Sequence, residues 1–164
     1  MMKPLLFLLT LIPLVATGQE WQHYAGDSGG QKYSRLKQVT RANVDKLRVA
    51  WRFRTGDVSD GKTYAIRSAF EATPLMVDNV LYFTTPFNRL IALDAETGKQ
   101  KWAFDPKLAR DVGRNLFLHR GVAYWTDGKQ KRLYYGTLDG ELFAIDAASG
   151  EPVTSFGTNG KVDL

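Results

Sequence analysis

Two stretches of this chain can be laid on one another without a gap, and that self-similarity restricts the fold more than any other feature. Residues 133–156 (LYYGTLDGELFAIDAASGEPVTSF) superimpose on residues 81–104 (LYFTTPFNRLIALDAETGKQKWAF) at a spacing of 52. Nine positions are identical, among them Tyr82/Tyr134, Ala92/Ala144, Asp94/Asp146 and Gly98/Gly150. A fainter echo lies upstream, where Trp51-Arg52-Phe53 precedes Trp102-Ala103-Phe104 by 51 residues. Within the first copy, apolar, β-branched and aromatic runs fall at 74–77, 80–85, 89–94 and 101–104. Asp78-Asn79, Pro86-Phe87-Asn88 and Thr97-Gly98 separate them. Short runs broken by such residues predict an antiparallel meander of four strands. One meander cannot cover both its faces, so copies repeating every ~40–50 residues point to an all-β fold of stacked blades, a β-propeller.

The chain has 164 residues, enough for two to three such blades. Closed propellers have about four to eight blades, so the chain is expected to be the N-terminal part of a longer protein. Met1-Met2-Lys3 is a short basic start, followed by an apolar run at 5–15 and by Ala16-Thr17-Gly18. This pattern predicts a cleavable export signal at 1–18, because the run is shorter than the ~20 apolar residues a spanning helix needs. The propeller domain is then expected over 19–164, in the periplasm. There is no cysteine, so neither a disulfide staple nor a lipoprotein anchor is available within this chain and stability must come from packing. The net charge of +5 is spread over turns and strand ends. It forms no basic stripe, which argues against a nucleic-acid partner.

Along the chain, Thr40 is a candidate N-cap for a short helix at 41–47, and alternating Leu47, Val49, Trp51 and Phe53 predict a strand at 47–55. Residues 56–68 and 105–118 are expected to be long loops, which commonly carry function. A strand at 121–125 and a turn at 127–131 are expected to open the second copy. Residues 157–164 run on with no closing strand evident.

The pattern Ala92-x-Asp94-x-x-x-Gly98-Lys99-x-x-Trp102 resembles the tryptophan-docking repeat of the pyrroloquinoline-quinone (PQQ) dehydrogenases. Physically, Gly98 permits the turn, Asp94 can accept hydrogen bonds from turn amides, and Trp102 offers a flat face to the next blade. The second copy has Glu151 and Thr154 in place of Lys99 and Trp102. Taken alone the motif is a packing device that also occurs in propellers without a cofactor. The resemblance extends through Trp21-x-x-Tyr24-x-Gly26-Asp27, Arg54-Thr55-Gly56-Asp57, Glu71-Ala72-Thr73-Pro74, Thr85-Pro86-Phe87-Asn88-Arg89-Leu90 and Arg120-Gly121-Val122 to the final Phe156-Gly157 and Gly160-x-Val162-Asp163. The Thr-Pro-x-Asn-Arg-Leu run and the closing segment are most similar to the glucose dehydrogenase branch.

The resemblance implies an eight-bladed propeller in the whole protein, with PQQ and calcium as cofactors. It places Glu71, Arg120 and Thr137 as cofactor-binding residues. A guanidinium holds a carboxylate or quinone oxygen through paired hydrogen bonds, whereas Glu71 among the carboxylates of PQQ needs a proton or a cation between them. Thr137 has Thr85 as its counterpart in the other copy, which favours a structural role. Some members place adjacent cysteines, or a nearby histidine, over one cofactor face. Here Arg114 and Asn115 stand at the cysteine positions and Leu116 near the histidine position, while His119 is taken as an ordinary loop residue. The calcium ligands and the catalytic base are expected beyond Leu164, so no catalytic or metal residue is assigned.

The implied activity is oxidation of an alcohol or an aldose, glucose-type favoured, with electrons passed to ubiquinone or a cytochrome c and peripheral membrane association. The fragment alone is expected to be inactive. Two rival readings are a non-catalytic propeller acting as an envelope scaffold, and a carbohydrate-binding propeller that uses exposed aromatics such as Trp125.

Overall fold

Asp78 and Asn79 both take positive φ, 51° and 60°, the backbone of the two-residue hairpin turn whose twist suits paired strands. The turn sets β1 (Leu75–Val77) against β2 (Val80–Thr84), with Val77 opposite Val80. The meander continues through β3 (Leu90–Asp94) and β4 (Gln100–Phe104), giving a sheet in the order β1-β2-β3-β4. A second antiparallel sheet follows in the same order from β5 (Ala123–Thr126), β6 (Lys131–Gly136), β7 (Glu141–Asp146) and β8 (Lys161–Asp163). The computed structural model describes residues 19–113 and 116–164. The expected export signal at 1–18 and the pair Arg114-Asn115 lie outside the described residues.

Side chains alternate across a strand, so a sheet with apolar residues on both faces needs cover on both. Tyr82, Leu90 and Ala92 point to one side of the first sheet and join Leu133, Tyr135, Phe143 and Ile145 of the second in a single buried cluster. Phe83, Ile91 and Leu93 point to the other side, under Trp51 and Phe53.

The two seams are built alike. Trp102 Nε1 donates to the Ala147 carbonyl at 3.2 Å, and Trp51 Nε1 donates to the Ala95 carbonyl at 3.2 Å. Each indole lies on a turn glycine with positive φ. A Cβ on Gly150 would sit 2.5 Å from the Trp102 ring, and one on Gly98 would sit 2.4 Å from Trp51. Only glycine allows both the backbone and this approach. Asp94 and Asp146 hold these turns as expected, accepting from the Thr97 and Ser149 amides at 2.8 Å each.

Three expectations need correcting. The predicted helix at 41–47 is a single 3-10 turn, Val44–Lys46, with Val44 and Leu47 both exposed. The turn buries none of its residues among those described, and a lone turn gains too little to propagate. The Thr40 side chain caps nothing there; its carbonyl oxygen accepts from the Asn43 and Val44 amides. Residues 47–55 form no ladder among the described residues, because a strand needs a neighbouring strand for its amides and carbonyls. Their side chains nevertheless pack as a fourth strand does: Phe53 meets Phe83 edge-on at 6.2 Å, as Phe104 meets Tyr135 at 6.4 Å.

The third correction concerns the end of the second copy. The alignment holds to the Ile145–Pro152 bridge, the equivalent of Leu93 opposite Gln100. The chain then leaves the sheet and returns, and the Ala144 amide donates to the Gly160 carbonyl at 3.0 Å. Leu142 lies opposite Val162, where the first sheet pairs Leu90 with Phe104. Six extra residues are therefore inserted before β8. Gly160, rather than Thr154, occupies the place of Trp102, and β8 is the fourth strand that the sequence did not reveal.

Candidate functional site

The loops that lead into the two sheets run side by side. Phe117 donates its amide to Arg67 and accepts from Ala69, both at 2.9 Å, and the Thr73 amide donates to the Arg120 carbonyl at 3.1 Å. Phe117 anchors this pairing from below, fully buried against Phe87 and Leu108. Phe87 and Phe117 meet edge-on at 5.1 Å.

This pairing brings together two of the three expected cofactor residues, 49 positions apart in sequence. Arg120 Nε donates to Glu71 Oε2 at 3.3 Å. The side chains are 78% and 43% exposed, so the pair contributes at most about 1 kcal/mol to stability. Apart from Nε, the guanidinium has no protein partner among the described residues. Such a group, one contact satisfied and several N–H donors open, suits an oxyanion-bearing ligand. Gly121, at φ 138°, lets the chain pass close to Thr73, whose oxygen would lie 3.2 Å from an added Cβ. Beside this crossing is a cleft of about 270 Å³ lined by Tyr24, Thr73, Leu75, Arg120 and Val122.

Thr137 lies in the β6–β7 turn, directly after Gly136, whose carbonyl oxygen is 2.6 Å from Nε2 of His119. Its hydroxyl accepts from the Glu141 amide at 3.3 Å, as the Thr85 hydroxyl accepts from Arg89 at 3.1 Å. No hydrogen bond among the described residues joins it to Glu71 or Arg120.

Three residues matter more than the sequence indicated. His119 is no ordinary loop residue: Nδ1 is 2.8 Å from the Thr84 hydroxyl and 3.1 Å from the Gly121 amide, and Nε2 is 2.6 Å from the Gly136 carbonyl oxygen. Burial holds its pKa below the ordinary 6.5. Asn88, fully buried at φ 60°, accepts from the Leu138 amide at 2.7 Å and so ties the turn of one sheet to that of the next. Arg89 grips the buried Asp57 with two parallel hydrogen bonds of 2.8 Å and donates to the Thr55 carbonyl at 2.6 Å. That fork fastens the Arg54–Asp57 motif to the Thr85–Leu90 motif. Among the described residues, no group of three or more His, Cys, Asp or Glu side chains could hold a metal ion.

Four-stranded antiparallel sheets, stacked face to face and docked by tryptophan on a turn glycine, define the blades of a β-propeller. The family described as the glucose/ethanol/alcohol dehydrogenase β-propeller domain, PQQ type, matches residues 21–164, and the chain belongs to it. It is 34% identical to a quinate/shikimate dehydrogenase (quinone) of Acinetobacter baylyi over 180 positions, covering 95% of this chain and 22% of that protein. It is 33% identical to quinoprotein glucose dehydrogenase A of Acinetobacter calcoaceticus, covering 93% of this chain and 21% of that protein. The crystal structure of quinohemoprotein alcohol dehydrogenase from Comamonas testosteroni superimposes with a TM-score of 0.66 at 31% identity, over 80% of this chain and 18% of that one. The chain thus spans about a fifth of the length of the relatives it matches.

Proposed function

We propose that this chain is the N-terminal part of a PQQ-dependent dehydrogenase that oxidises a CH–OH donor, and that Glu71 and Arg120 bind the cofactor. The observation that carries this reading is the exposed Glu71–Arg120 pair at the crossing of the two loops, beside an open cleft. It adds little to stability, so its chemistry points outward. Arg120 suits a carboxylate or quinone oxygen of PQQ, and Glu71 both orients the guanidinium and limits its charge. Thr137 is the weaker third candidate, since its hydroxyl already serves its own turn. When bound, PQQ supplies the two-electron acceptor for substrate oxidation, with calcium as the Lewis acid on ligands expected beyond Leu164.

The donor is an alcohol or an aldose, with the glucose type favoured by the Thr85–Leu90 run and by the closing segment. Ubiquinone or a cytochrome c takes the electrons. Export to the periplasm by the segment at 1–18 suits both acceptors. The test uses the product of the full reading frame. Calcium-dependent PQQ binding and substrate-driven dye reduction are expected, with Glu71→Gln and Arg120→Ala each weakening PQQ binding by about tenfold or more. A full-length protein that neither binds PQQ nor reduces dye, and whose ligand binding is untouched by either substitution, returns the chain to the scaffold class.

A further inference from the structure

The imidazole of His119 lies where three pieces of backbone meet. The Gly121 N–H can only donate, so Nδ1 carries the lone pair; the Gly136 carbonyl can only accept, so Nε2 carries the proton. Both contacts select the same neutral tautomer, and the Thr84 hydroxyl adds a second donor to Nδ1. Thr84 ends β2 in the first sheet and Gly136 ends β6 in the second. With both nitrogens engaged, the ring is not free to exchange a proton with substrate. Its effect falls instead on the adjoining residue, Arg120, whose carbonyl is held by Thr73 and whose guanidinium meets Glu71.

We propose that His119 is a positioning residue: in its Nε2–H form it clamps the 119–121 segment to the ends of β2 and β6, and so presents Arg120 beside Glu71 in the arrangement the cofactor meets. This rests on the reading of Glu71 and Arg120 as cofactor-binding residues. A ring protonated on both nitrogens cannot accept from the Gly121 N–H, whereas the Thr84 hydroxyl can turn to accept, so the clamp loses its hold on Gly121 in acid. The groups around it are few. Thr84 on the first sheet is uncharged, Tyr135 on the second packs edge-on at 5.6 Å, and Glu71 and Arg120 adjoin on the loops. Burial keeps the ring neutral at neutral pH.

The test is equilibrium titration of the calcium-loaded, full-length apoprotein with PQQ, followed by quenching of tryptophan fluorescence, in wild type, His119→Ala and His119→Asn. Asparagine places an amide oxygen near the position of Nδ1 and does not titrate. At pH 7.5, His119→Ala should raise the Kd for PQQ about tenfold, with His119→Asn within about threefold of wild type. KM for the donor at saturating PQQ should be unchanged. Between pH 7.5 and 5.5 the wild type should lose more affinity than His119→Asn, which shares its Glu71, Arg120 and Tyr135. Unaltered PQQ affinity in His119→Ala overturns the inference while leaving the PQQ reading intact. Should that variant not fold, parallel pH profiles for wild type and His119→Asn overturn it. A wild type that binds no PQQ removes both.

Discussion

Arg89 is a residue whose side chain does more than its sequence position suggests. Its planar fork matches the carboxylate of Asp57, which is only 7% exposed, and the contact raises the already high pKa of the guanidinium. Lysine keeps the charge but cannot make two parallel bonds, so Arg89→Lys leaves Asp57 partly unpaired in a poorly solvated place. The expected cost is about 2 kcal/mol, read as a lower midpoint in urea denaturation. Adding Asp57→Asn should cost less than the sum of the two single changes, because both break the same contact. An additive pair argues that the fork carries no coupling. At this scale the sequence was legible wherever a residue acts on its own turn. Asp94 and Gly98 could be assigned from spacing alone, since the Asp94 carboxylate bonds Thr97 and the Gly98 amide bonds the Asp94 carbonyl, all within one turn. Asn88 and His119 could not, because their partners lie in the neighbouring sheet, and no local pattern marks a side chain that bonds across a seam.

Among the elements, the meanders were legible to within a residue or so, because turn chemistry and side-chain alternation act locally. The fourth strand of the second sheet was not. Phe156 aligns with Phe104 and invites the reading of a strand there, yet it packs on Tyr134 at 5.5 Å while β8 takes the pairing. Pro152 has no N–H for the ladder, and the glycines at 157 and 160 let the chain turn out and return. The seam between the two sheets carries a prediction of its own, in stability rather than in cofactor affinity. His119 has a depressed pKa in the folded chain, so the unfolded chain binds its proton first as the pH falls. The stability that this group contributes is complete above its ordinary pKa of 6.5 and is lost progressively below it. Denaturation midpoints should therefore fall between pH 7.5 and 5.5, and fall less in His119→Asn. Identical slopes would show that the ring is solvated and free.

For the molecule as a whole, residues 47–55 decide how far the repeat extends towards the N-terminal side of the first sheet. They form no ladder among the described residues, yet Trp51 makes on the Asp94–Gly98 turn the contact that Trp102 makes on the Asp146–Gly150 turn, at the same distance and to the equivalent carbonyl. Phe53 likewise repeats the packing of Phe104. The apolar hollow beside them, about 510 Å³ and lined by Phe53, Val58, Phe70, Leu81 and Phe83, lies on the side of the first sheet against which no second sheet packs among the described residues. The segment has the side-chain contacts of a fourth strand on a blade face, although no ladder joins it to another strand among the described residues. On that argument the two indoles are equivalent supports rather than one blade contact and one loop contact. Trp51→Ala and Trp102→Ala should each lower stability in urea denaturation by about 2–4 kcal/mol, since each empties a cradle shaped by a glycine. The double variant should cost close to the sum, because the two seams lie on opposite faces of the first sheet. A nearly neutral Trp51→Ala beside a costly Trp102→Ala would mean that residues 47–55 merely rest on the sheet, and that the echo of Trp102-Ala103-Phe104 in Trp51-Arg52-Phe53 is without structural consequence.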